Sequence, residues 1–135
     1  MYSSAKGAVA ECNHVFIKGN NLNERFENLG ENSKFYIGEI GFGIGINFLT
    51  TCKSWLDHTK QNQVLEFYSF DKYLFRLNDF KKLNVSYPDL KEYISELERY
   101  YPTNIQGAQK IPLFDGRIIL NLIIGEIDNL SLIHI

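Results

Sequence analysis

The chain has 135 residues, which fits one domain and leaves little room for a second. Hydrophobic residues at 44% and charged residues at 22% exclude wholesale disorder. The formal net charge of -2 lends no electrostatic support to nucleic acid binding. A local basic stripe of Lys72, Arg76, Lys81 and Lys82 stays open as an RNA contact, although a solvated helix face is the simpler reading.

Residues 1–13 are small and polar and read as a loop, with no signal-peptide pattern in Met1 to Ala10. His14-Val15-Phe16-Ile17 reads as a short strand ended by the turn signal Gly19-Asn20-Asn21. Leu22 to Leu29 reads as a helical turn stopped by Gly30, and Lys34 to Ile40 as a buried strand ending in glycines. Ile46, Phe48, Leu49, Cys52, Trp55 and Leu56 share one helical face, so a helix runs from Ile46 to about His58-Thr59. Val64 to Phe70 reads as a second strand stopping at Asp71. Helical spacing through Leu74, Leu77 and Phe80 places a helix over Tyr73 to Leu83. Pro88-Asp89 opens another, closed by Tyr101-Pro102. Ile111 to Phe114, Asp115-Gly116 and Arg117 to Ile124 carry the signal of a hairpin with a two-residue turn. Strands alternating with helices predict an α/β sandwich with a largely parallel sheet.

Cys12 and Cys52 form no CxxC pair, and no two of His14, His58 and His134 sit at i, i+4, so no metal site is expected. No apolar segment approaches the roughly 20 residues of a membrane helix. A cytoplasmic protein is expected.

The informative segment is strand, then Gly41-Phe42-Gly43-Ile44-Gly45, then helix. Glycines there let the backbone turn tightly and approach a ligand, and the helix start offers unpaired N–H groups. The spacing is G-x-G-x-G, without the third helix-facing glycine of dinucleotide binders. Glu39, just before the loop, repels a pyrophosphate but attracts a sulfonium or an amino group. Asp71, at the next strand end, suits two ribose hydroxyls, and Glu126, after Gly125, suits an adenine amino group. Each acid alone is as well read as a cap or a solvated loop residue; three at successive strand ends favour a nucleoside-type ligand. A nicotinamide-dependent oxidoreductase stays open as an alternative, although Gly45 to Asp71 is longer than the roughly 20 residues of that fingerprint. A non-catalytic, truncated product is the other.

His14 to Phe26 (HVFIKGNNLNERF), Glu39 to Leu49 (EIGFGIGINFL), Phe70-Asp71-Lys72-Tyr73, and Leu113 to Arg117 followed by Ile124-Gly125-Glu126-Ile127 occur in order along the chain. Together they resemble the methyltransferase half of the MnmC family, also found as the stand-alone MnmD. The resemblance runs from about His14 to Leu130. It implies a Rossmann-like class I S-adenosylmethionine-dependent methyltransferase fold, incomplete at the C-terminus, in a single partial domain. Residues 1–33 are then an N-terminal extension and 34–130 the first half of the sheet; 131–135, SLIHI, read separately, from their own sequence, as a non-native end. The resemblance further implies methyl transfer from S-adenosylmethionine to the aminomethyl group of a modified wobble uridine in tRNA, with an FAD-dependent oxidase domain fused or separate. The implied cofactor-binding residues are Glu39, Gly41, Gly43, Gly45, Asn47, Asp71, Lys72 and Glu126. No residue reads as the catalytic base. This chain departs from the family pattern at Ile44, usually Thr, and at Asp71 and Glu126, each the other acid in the common pattern. The family's Asp-Gly-Phe motif is absent. The isolated chain is therefore expected to be inactive, poorly soluble and weak in cofactor binding, with the edge of Ile118 to Ile124 as the culprit.

Overall fold

The computed structural model describes residues 13–41, 45–104 and 107–125. The chain alternates strands with helices because its apolar pattern alternates between the two periods. Helices are α1 (Leu22–Glu27), α2 (Ile46–His58), α3 (Leu77–Ser86) and α4 (Lys91–Tyr100); strands are β1 (Lys34–Ile40), β2 (Val64–Asp71), β3 (Gly107–Leu113) and β4 (Ile118–Ile124). The four strands form one sheet in the order β1-β2-β4-β3. β1 pairs with β2, and β2 with β4, in parallel; β3 pairs with β4 antiparallel. The α/β class and the largely parallel sheet follow the expectation.

One sheet face carries Phe35 and Ile37 from β1, Leu65 and Phe67 from β2, and Ile118, Leu120 and Leu122 from β4. Helices α1 and α2 pack on it. The Phe26 ring meets Phe35 at 5.1 Å and Trp55 at 4.9 Å, both edge-on, and Phe48 meets Phe67 at 4.9 Å. Such pairs add about 0.5–1.5 kcal/mol each beyond their area burial. Gln63 ties the segment before β1 to the loop before β2: its Nε2 donates to the Leu29 and Gly30 carbonyls at 3.0 Å, and its Oε1 accepts from Lys60 N–H.

The other face stays open along β1, where Tyr36 is 61% and Ile40 77% exposed. A polar island sits within it. Asn121 Nδ2 donates to Glu66 Oε1 at 2.9 Å, and Lys34 and Lys110 each approach the same carboxylate to 3.7 Å. Among the described residues β1 pairs only with β2, so its other edge is unpaired. β4 is interior, flanked by β2 and β3 and buried over most of its length. Ile118–Ile124 is therefore not the open edge expected, because the hairpin arm β3 covers it; among the described residues the unpaired edges are those of β1 and β3.

Three local expectations are corrected. The strand expected at His14–Ile17 is a π-helical turn, Asn13–Lys18, tied by Asn20 Nδ2 to the Phe16 carbonyl at 2.7 Å. A short apolar run does not distinguish the two states by itself. The helix expected from Tyr73 begins at Leu77, because Phe75 N–H donates to Tyr101 Oη and Asp79 Oδ2 accepts from Arg76 N–H at 2.7 Å. A tertiary contact and a cap override the apolar period there. The hairpin turns on Asp115-Gly116 as expected, with Arg117 N–H donating to the Phe114 carbonyl at 3.1 Å, but strand pairing stops one residue short on each side, at Leu113 and Ile118. Phe114 (φ 51°), Asp115 (φ 57°) and Gly116 (φ 82°) all take the left-handed region, and Glu96 Oε2 holds the Phe114 N–H at 2.8 Å. Pro112 is tolerated in β3 because that strand lies at the sheet edge.

Candidate functional site

The carboxyl ends of the parallel strands point the same way, so β1 and β2 deliver Glu39 and Asp71 to one end of the sheet. Alternation along each strand puts both side chains on the helix-covered face, since Glu39 is in register with Ser69, two residues before Asp71. Past β1 the ladder runs on: Gly41 N–H donates to the Phe70 carbonyl at 2.7 Å. Gly41 has φ 82° and Gly45, the N-cap of α2, has φ 80°. Both conformations suit glycine because a Cβ is disfavoured there. An added Cβ at Gly41 meets nothing within 4 Å, so the backbone borders open space.

Glu39 is the electrostatic centre of the site. Its Oε2 accepts from Asn47 Nδ2, in the first turn of α2, at 2.5 Å. Its Oε1 is buried with no hydrogen-bond partner. Burial raises its pKa above the usual carboxylate range; the Asn47 hydrogen bond opposes that rise and the Asp71 charge adds to it. Asn47 is held in turn at its carbonyl by Thr51 Oγ1 at 2.5 Å. Asp71 Oδ1 accepts from Lys72 N–H at 2.7 Å, and its carbonyl accepts from Gly125 N–H at 2.9 Å. That last bond draws the end of β4 to the end of β2.

The structure thus brings together Glu39, Gly41, Gly45, Asn47, Asp71 and the Lys72 backbone. Gly43 and Glu126 lie outside the described residues. Sequence reasoning missed Ser69, which is fully buried beneath this site with its hydroxyl unpartnered. Its position two residues before Asp71 was the available signal. A cavity of about 540 Å³, lined by Leu56, Gln61, Phe114, Asp115 and Arg117, lies at the opposite end of the sheet. Lys72 lies in the loop after β2 with its ammonium 5.9 Å from the Tyr73 ring centroid, Arg76 caps α3, and Lys81 and Lys82 are exposed on it. The stripe is split between loop and helix. Among the described residues no helix is long and apolar enough to cross a membrane, and no group of three His, Cys, Asp or Glu is placed to hold a metal.

No family model matches the chain. It is similar to the tRNA 5-methylaminomethyl-2-thiouridine biosynthesis bifunctional protein MnmC of Hydrogenovibrio crunogenus, 38% identical over 127 residues, covering 94% of this chain and 19% of the relative. The protein of the same name from Marinobacter nauticus is 38% identical over 130 residues, covering 94% of this chain and 21% of the relative. The chain spans about a fifth of the length of the curated relatives it matches. In fold it is similar to the crystal structure of MnmC2 from Aquifex aeolicus, with a TM-score of 0.62 at 17% identity, over 95% of this chain and 37% of that one. The sequence matches thus show likeness to proteins named MnmC along 94% of this chain and about a fifth of theirs.

Proposed function

We propose that this chain carries the cofactor-binding part of a Rossmann-like class I methyltransferase domain. It binds S-adenosylmethionine at Glu39, Gly41, Gly43, Gly45, Asn47, Asp71, Lys72 and Glu126, and serves methylation of an aminomethyl group on a wobble uridine of tRNA. The observation that carries the reading is Glu39 Oε1, a buried carboxylate oxygen without a donor, at a strand end beside a glycine-bordered opening. A buried acceptor left unmade costs about 1–3 kcal/mol, and a cationic amino group would satisfy it. Relatives named for tRNA 5-methylaminomethyl-2-thiouridine biosynthesis support the substrate class. They do not favour the nicotinamide alternative.

The residues fit such a group. When bound, S-adenosylmethionine supplies an electrophilic methyl on a good leaving group. Glu39 accepts from its amino group, with Asn47 fixing the carboxylate plane. Asp71 accepts from two ribose hydroxyls. Gly41 and Gly45 keep the approach free of side chains. Holding the donor in line with an incoming neutral amine supplies much of the acceleration in this kind of transfer. Calorimetric titration with S-adenosylhomocysteine and, separately, NADH tests the reading. Saturable binding of the former, stronger than of the latter, is expected; NADH binding more tightly overturns it in favour of an oxidoreductase.

A further inference from the structure

Two buried polar atoms occupy neighbouring positions at the head of the sheet, and neither has a hydrogen-bond partner. They are Glu39 Oε1 and Ser69 Oγ. Glu39 and Ser69 are partners in the β1–β2 ladder, so their side chains leave the sheet on the same face. Elsewhere on that face β2 presents Leu65 and Phe67, both buried. A hydroxyl is costly in such a place unless something bonds to it, and an alanine would fill the space without that cost.

We propose that Ser69 is a positioning residue for Glu39, its hydroxyl turning to donate to Oε1 whenever that carboxylate is ionised. Serine χ1 has three staggered wells, so rotation about χ1 is the motion required. A carboxylate oxygen has two acceptor sites, which leaves one for a ligand donor after Ser69 has bonded. Asn47 then fixes one oxygen from α2 and Ser69 the other from β2. The charged group facing Glu39 from β2 is Asp71, whose charge disfavours ionisation, as does burial. From α2 the facing group is Asn47, and the first turn of that helix contains no acid. A second donor offsets these two effects and keeps Glu39 ready for a cationic amino group. The functional meaning rests on the cofactor reading above; the geometry does not.

The test needs no ligand. In protein carrying 13C-labelled glutamate, the Glu39 carboxyl resonance, assigned by its loss in Glu39→Gln, is followed from about pH 3 to 8. In Ser69→Ala the midpoint is expected to rise by about one pH unit, the size of a lost charge-assisted hydrogen bond. Ser69→Thr, which keeps the hydroxyl, is expected to restore it. An unchanged midpoint in folded Ser69→Ala overturns the proposal, as does a Thr midpoint equal to that of Ala. If the midpoint shifts in a protein that ignores S-adenosylhomocysteine, the positioning role stands and the cofactor reading falls.

Discussion

Asn47 Nδ2 donates to Glu39 Oε2 at 2.5 Å, so the first turn of α2 grips one oxygen of a strand-end carboxylate while the other stays buried and unbonded. The bond spans the glycine loop and couples the strand before it to the helix after it. Asn47→Ala is expected to weaken S-adenosylhomocysteine binding about tenfold, the equivalent of roughly 1.4 kcal/mol. Calorimetry on the folded variant checks this; an unchanged affinity detaches Asn47 from the site.

Glu39 also makes stability depend on pH. Its folded-state pKa is raised above the ordinary carboxyl value, chiefly by burial. A raised carboxyl pKa means the folded state binds its proton more tightly than the unfolded state does. The contribution is fully present below the unfolded pKa and is lost as pH rises through the folded one. Glu39→Gln removes this loss. Relative to wild type, its Tm is expected to be highest near pH 8 and to converge as pH falls toward about 4. A Gln variant relatively less stable at the higher pH contradicts the burial argument.

The loop glycines make a second stability prediction. Gly41 and Gly45 both hold φ near +80°. Alanine at either is expected to cost on the order of 1–2 kcal/mol in urea unfolding. Asparagine at Gly41 is expected to cost less, because it tolerates the left-handed region and meets open space. Equal costs for Gly41→Asn and Gly41→Val count against a backbone origin.

The unpaired edge of β1 and the exposed Tyr36 and Ile40 beside it are expected to promote self-association. Tyr36→Lys with Ile40→Lys is expected to reduce concentration-dependent scattering while changing stability within about 0.5 kcal/mol per site. Ile123→Lys, at a position 2% exposed in β4, is expected to unfold the chain instead. Scattering unchanged in the double variant moves the association surface elsewhere.

Much of this was legible in the sequence, for identifiable reasons. β1, α2 and β2 carry strong periodic apolar patterns bounded by glycine or an acid, and their observed limits follow those signals. Glu39 and Asp71 were readable as strand-end acids because strand ends fix where such residues go. Two of the misreadings share one cause: contacts distant in sequence decided them. Tyr101 holds the Phe75 N–H and delays α3, and Glu96 holds the Phe114 N–H and ends the strand pairing one residue early. Ser69 escaped notice because its importance comes from a neighbour on another strand, which register alone reveals.

The central claim is that the ends of β1 and β2 bind S-adenosylmethionine through Glu39 and Asp71. Amide chemical-shift mapping with S-adenosylhomocysteine tests it most directly, comparing wild type with Asp71→Ala. Saturable shifts are expected at residues 39–41, 45–47 and 69–72, with affinity falling by roughly 1.5–3 kcal/mol in the variant. Shifts confined to the cavity around Leu56, Phe114 and Arg117, or equal affinity in folded Asp71→Ala, would contradict the account.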